Sequence, residues 1–246
     1  MDRDASPAPT ADLAQITNPR PTTIPEVIAI MQRLDSALPS QDGLKWFNLL
    51  YLMVTEAIEQ SPPASGWSNP QWLTRLDIVF ANLYFDAIVS WQQNAGRAPR
   101  AWKALFEARY RPGVERVQFA LAGMNAHINH DLPIAVVQTC AELQLLPDRP
   151  SAEYNDYEQV NSTLSAVEPQ ALQHLATGLV GEIAEDLGAV GHVMAMWSVE
   201  HARDTAWTNA QILWQLQNLP LARNRFLLAL DRMTGFAGRG LVLPIV

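Results

Sequence analysis

The chain of 246 residues has one cysteine, Cys140, so no intramolecular disulfide can form, and a reducing cytoplasm is the expected location. No run of about eighteen apolar residues occurs, so no transmembrane span is expected. A basic stripe is missing too. Lys and Arg number 17 against 25 Asp and Glu, giving a formal net charge of −8 and a pI near 5.1, the wrong sign for a nucleic-acid partner. There is no Gly-x-Ser-x-Gly elbow, no Gly-rich phosphate loop and no Glu-x-x-His pair, which disfavours a serine hydrolase, a nucleotide enzyme and a ferritin-like oxidase. Cys140 sits in an apolar context and reads as an inert core thiol. The prolines gather between apolar segments and not inside them, which favours helices over strands.

What the chain does have is a stretch too apolar for a surface, Phe119-Ala-Leu-Ala-Gly-Met-Asn-Ala-His-Ile-Asn-His-Asp-Leu-Pro133, carrying two histidines, two asparagines and an aspartate. Burying these groups requires a partner for each. At 100° per residue His127, His130 and Asp131 share one arc and Asn125 and Asn129 point to the other side, as in a central helix with two neighbours. Pro133 cannot donate to the carbonyl of Asn129, so a kink is expected there.

The expected architecture is all-α, a single-domain bundle of about eight or nine helices around this buried central helix. Met1 to Thr10 is polar and Pro-rich without an apolar core, so residues 1–22 read as a disordered arm, not a signal peptide, and 23–246 as the helical domain. Thr23-Ile-Pro-Glu26 is a capping box opening a helix to Ala37. Helices follow over Leu44–Gln60, Gln71–Gln93 (capped by Asn69-Pro70), Ala101–Tyr110 and the signature to about Leu146. Tyr154–Leu164, Pro169–Leu187, His192–Leu216 and Pro220–Gly235 complete the set, and the apolar tail from Gly238 should pack back on the body.

The signature, with Phe47-Asn-Leu-Leu-Tyr-Leu52, Leu76-Asp77, Phe80-Ala-Asn82 and Ala202-Arg-Asp-Thr-Ala-Trp207, resembles a bacterial helical family catalogued as a domain of unknown function. The resemblance runs from about Pro25 onward and implies a helical fold and no particular activity.

Three readings of the signature compete. In the first, His127, His130 and Asp131, with Asp77 from another helix, bind a divalent metal (zinc, iron or manganese) that activates water or oxygen on a small molecule. His130, Tyr84 and Arg203 are then the catalytic candidates, and Asn125, Asn129 and Trp207 the ligand-binding ones. In the second, the same residues form a hydrogen-bond network tying helices together in a non-catalytic carrier or interaction protein, with Arg203 neutralising a buried carboxylate. The third adds the aromatics. Trp46, Tyr51, Phe80, Tyr84, Trp102, Phe106, Trp197, Trp207 and Trp214 either fill a core or line a cavity for an apolar molecule of lipid, isoprenoid or polyketide type.

Overall fold

A computed structural model of the chain describes residues 12–176 and 198–244. Among these every regular element is helical: Leu13–Ile16 (α1), Ile24–Ala37 (α2), Gly43–Gln60 (α3), Pro70–Asn94 (α4), Arg100–Ala108 (α5), Arg116–Ala126 (α6), a π-helical turn His127–Asp131, Leu132–Glu142 (α7), Ala152–Ala176 (α8), Val199–Gln215 (α9) and Pro220–Leu241 (α10). The starts follow from side chains that satisfy the unpaired first-turn amides. Thr23 and Glu26 close a capping box, Asp42 accepts from Leu44 N, Asn69 accepts from Trp72 N, and Ser198 accepts from His201 N. No described helix is long and apolar enough to cross a membrane.

Two apolar clusters flank the signature rod. One gathers Phe47, Trp102, Leu105 and Phe119 from α3, α5 and α6, and the other gathers Trp72, Val136, Tyr157 and Trp207 from α4, α7, α8 and α9. Met124, at the end of α6, packs against both. The small residues of the signature allow this close approach. A Cβ added at Gly123 would lie 2.3 Å from the Phe47 ring, so α3 can meet α6 here only with glycine at that position.

The signature is not one kinked α-helix. Just before Pro133 the rod makes a π turn, in which Leu132 N donates to the carbonyl of His127, five residues back. Pro133 then falls in the first turn of α7, directly after the π turn. The two helices expected around Pro169 are continuous up to Ala176. Val160, Val167, Ala171 and Leu175 stay buried on one face across the proline, and that packing outweighs one lost backbone bond. The remainder of the expected 169–187 helix, and His192, Met196 and Trp197, lie outside the described residues.

Within the segment read as an arm, Leu13–Ile16 forms α1. From Asp12 onward Leu13, Thr17 and Pro21 are buried, and α1 packs on α2 and α4, so the apolar side chains of this segment draw it onto the body. Residues 1–11 lie outside the description. At the other end α10 runs beyond the expected Gly235 to Leu241, and Val242 is buried. The tail packs back as Gln118 donates to the carbonyls of Leu241 and Leu243 and Arg111 to that of Val242.

Candidate functional site

Asp131 is the hub of the buried polar groups. Its Oδ2 accepts from the Trp102 indole Nε1 at 2.9 Å and from His127 Nδ1 at 3.1 Å, and its Oδ1 accepts from His130 Nδ1 at 2.7 Å. His130 Nε2 lies 3.8 Å from Asp231 Oδ1, which also accepts from Ala101 N at 3.0 Å. Pro99 precedes α5 and has no side-chain oxygen to cap it, so a carboxylate from α10 does so instead. On the far side Asn125 donates to the carbonyl of Thr234 at 2.9 Å and accepts from Asn129 at 3.1 Å. The π turn is thus fastened to α5 and α10 by both polar stripes.

Environment sets the charges. Burial acts to raise Asp131, but hydrogen bonds from His127 and His130 outweigh it and hold the carboxyl below its usual range. Burial acts to lower His130, yet the Asp131 bond and the charges of Asp131 and Asp231 leave it raised. For His127 burial wins, and the ring is held neutral. With Nδ1–H donated to a carboxylate, His127 Nε2 is the lone-pair nitrogen, buried and without a hydrogen-bond partner among the described residues. Phe80 stacks flat on this imidazole at 3.4 Å between ring centres, with Tyr51 at 4.5 Å and Phe47 at 5.6 Å edge-on.

His127 lines a cavity of about 80 Å³ walled by Leu50, Tyr51, Val54, Leu76, Phe80, Met124, Ile128 and Leu164, among others. Only a few polar side chains interrupt this wall, among them Asp77 and Arg203. Arg203 is buried, donates from Nε to Asn161 at 2.7 Å and from Nη2 to the Tyr157 carbonyl at 2.5 Å, and lies over the Tyr157 ring. Among the described residues neither Asp77 nor Arg203 forms an ion pair, with the other or with any third group. Burial pushes the Asp77 carboxyl up to about 7, against the pull of Arg203 and with help from Glu59. Leu50, Val54, Met124 and Leu164 also line a second cavity of about 310 Å³, whose described wall includes Leu121, Val167 and Leu175.

The structure divides the residues expected to act together. His127, Asp77 and Arg203 line the cavity, whereas His130, Asp131, Asn125, Asn129, Tyr84 and Trp207 do not. Tyr84 is enclosed, stacked on Trp102, with its hydroxyl 3.4 Å from Asn48 Oδ1. Trp207 is enclosed between Trp72, Tyr154 and Tyr157. The proposed metal ligands do not converge. Both oxygens of Asp131 and Nδ1 of each histidine are spent on one another, and among the described residues no three His, Cys, Asp or Glu side chains are placed to hold an ion. Among the described residues Arg203 makes no ion pair with a carboxylate; its hydrogen bonds go to Asn161 and the Tyr157 carbonyl, and its charge acts on the Asp77 carboxyl from a distance. The cavity residues Tyr51 and Phe80 stood among the aromatics. Trp102 as a donor and Asp231 as a cap had no local signal.

These features define a class, an all-helical bundle with a central π turn whose His–Asp network borders an apolar cavity. The chain belongs to the family described as "Family of unknown function (DUF5995)", whose profile matches residues 24–244. No curated protein and no solved structure matches it.

Proposed function

We propose that this protein binds a small, mainly apolar molecule in the cavity between α3, α4, α8 and the π turn, with its one polar end at Asp77, Arg203 and His127. The observation that carries this reading is the pair of ionisable side chains, Asp77 and Arg203, lining an apolar cavity with no ion pair to either among the described residues. Burying charge without a partner is costly, and a bound group that accepts from the guanidinium relieves that cost. A carboxylate is the natural fit for Arg203, because the guanidinium fork matches its two oxygens. An apolar body too long for this cavity has to displace Met124 and Leu164, which line both cavities, to enter the second.

The chemistry open to this set is proton transfer. His127 is a neutral imidazole oriented by Asp131, and Asp77 is a carboxyl that titrates near neutrality, so one cavity holds a base and an acid. A divalent metal has no donor set here among the described residues, and no step is assigned to one.

The test is titration with cis-parinaric acid, a fluorescent fatty acid, and separately with its methyl ester. Saturable binding near one equivalent is expected for the acid, with the ester at least tenfold weaker because it offers Arg203 no charge. Val54→Trp, which fills the cavity, should abolish both. Absence of saturable binding, or binding by Val54→Trp equal to the wild type, would refute the proposal.

A further inference from the structure

Exposed apolar surface is concentrated on one element. Of the nine large apolar side chains exposed among the described residues, six lie between Leu219 and Leu243, on α10 and its flanks. Leu221 is 79% exposed and Phe236 81%. Only Thr234, Gly235 and Gly238 of this helix are buried, and none of residues 220–230 is. The burying face needs those glycines. A Cβ at Gly235 would lie 2.5 Å from the backbone oxygen of Arg100.

The outward face has a regular order. Leu221, Arg225, Leu228, Arg232, Phe236 and Arg239 fall within an arc of about 80° at 100° per residue, and all six are exposed. Apolar and cationic side chains therefore alternate along one stripe. Arg225 and Arg232 form no ion pair among the described residues, and Arg239 meets only Glu107, at 3.7 Å. The one acid of α10, Asp231, is turned inward to Ala101 and His130. A chain with a formal net charge of −8 thus presents one helix on which Arg225 and Arg232 have no acidic partner among the described residues.

We infer that α10 is an interfacial helix that docks this protein on an anionic lipid surface. Charge complementarity selects the occupant. A second copy of the chain offering the same stripe would set arginine against arginine with no acid between them. The shape agrees with a flat partner, since the helix is about 33 Å long and none of residues 220–230 is buried. Leucine and phenylalanine tips can enter the headgroup region while each neighbouring guanidinium stays within reach of phosphate. This placement is independent of what the internal cavity holds.

The experiment is co-sedimentation of the full chain with vesicles of phosphatidylcholine alone and of equal parts phosphatidylcholine and phosphatidylglycerol, at low and high salt, beside light scattering of the protein without lipid. Binding is expected only to the mixed vesicles, weakened by salt. R225E/R232E should lower the partition coefficient by on the order of 30-fold or more, from about fivefold per arginine charge removed. L221S/F236S should also lose binding while keeping the wild-type unfolding midpoint, because both side chains are exposed. Equal binding to neutral vesicles, no binding to either, or dimerisation that L221S/F236S abolishes would each overturn the inference, the last in favour of self-association.

Discussion

Trp102 and His127, from α5 and the π turn, donate to the same oxygen of Asp131, at 2.9 and 3.1 Å. A buried carboxylate holding three N–H donors on two oxygens is a junction, and its removal strands them all. Asp131→Ala should therefore destabilise the protein by about 3–5 kcal/mol, as expected for breaking a buried charged pair. Asp131→Asn keeps one acceptor oxygen, and its cost should be about 1–3 kcal/mol. Urea midpoints of the two variants check this. Equal and small losses in both would show that the junction contributes no stability.

The same network fixes how stability depends on pH. Asp131 is depressed on folding, so its contribution is present above the ordinary carboxylate range and is lost as pH falls through its folded value. His130 is raised, so its contribution is full below the ordinary imidazole value, near 6.5, and declines as pH rises through the folded one. His127 resists the proton that the unfolded chain takes up, and therefore weakens the fold as pH drops below that same value. His130→Gln should accordingly cost most near pH 6 and progressively less toward alkaline pH. Thermal midpoints of the variant and wild type across this range decide it; a constant difference would contradict the pairing with Asp131.

Much of this was legible in the residues themselves. The Thr23 box, the Asn69-Pro70 start and the burial of His127, His130 and Asp131 follow from local patterns, because capping and apolar context act within a few residues. The π turn was not legible. Periodicity at 100° per residue assumes a regular helix, and one inserted residue redirects every side chain after it. Asp231 could not be found either, since nothing near it in the chain announces that α5 lacks a cap of its own.

Gly123 offers a test of packing. Its α-carbon faces the Phe47 ring, which is itself held by Tyr51, Tyr84, Trp102 and His127, so the ring has nowhere to move. Gly123→Ala should cost about 1–3 kcal/mol from overpacking. Gly240→Ala is the control, because nothing lies within 4 Å of the added carbon and alanine is the better helix former. It should be neutral or stabilise by up to about 1 kcal/mol. Equal effects at the two positions would mean that α3 and α6 are not in this contact.

Asp77 separates stability from function. Its carboxyl titrates at about 7 in the folded protein, against about 3.8 in the ordinary case, so the folded form binds the extra proton between those limits. A raised carboxylate opposes folding, and the penalty grows as pH rises from about 4 to about 7 and is constant above. Asp77→Asn removes the ionisation while keeping the shape. The variant should match the wild type near pH 4 and exceed it at pH 8 by on the order of 2–4 kcal/mol. Binding should strengthen over the same pH range. Without an ionisable Asp77 the cavity keeps the Arg203 charge and loses the one opposing it, so cis-parinaric acid should bind tighter above pH 7 and its pH dependence there should flatten. Chemical unfolding and probe titration at pH 5 and pH 8 read both effects on the same samples. A variant no more stable at pH 8 than the wild type would mean that Asp77 is not held in the apolar wall. A stabilised variant with unchanged binding would place the acid head away from Asp77.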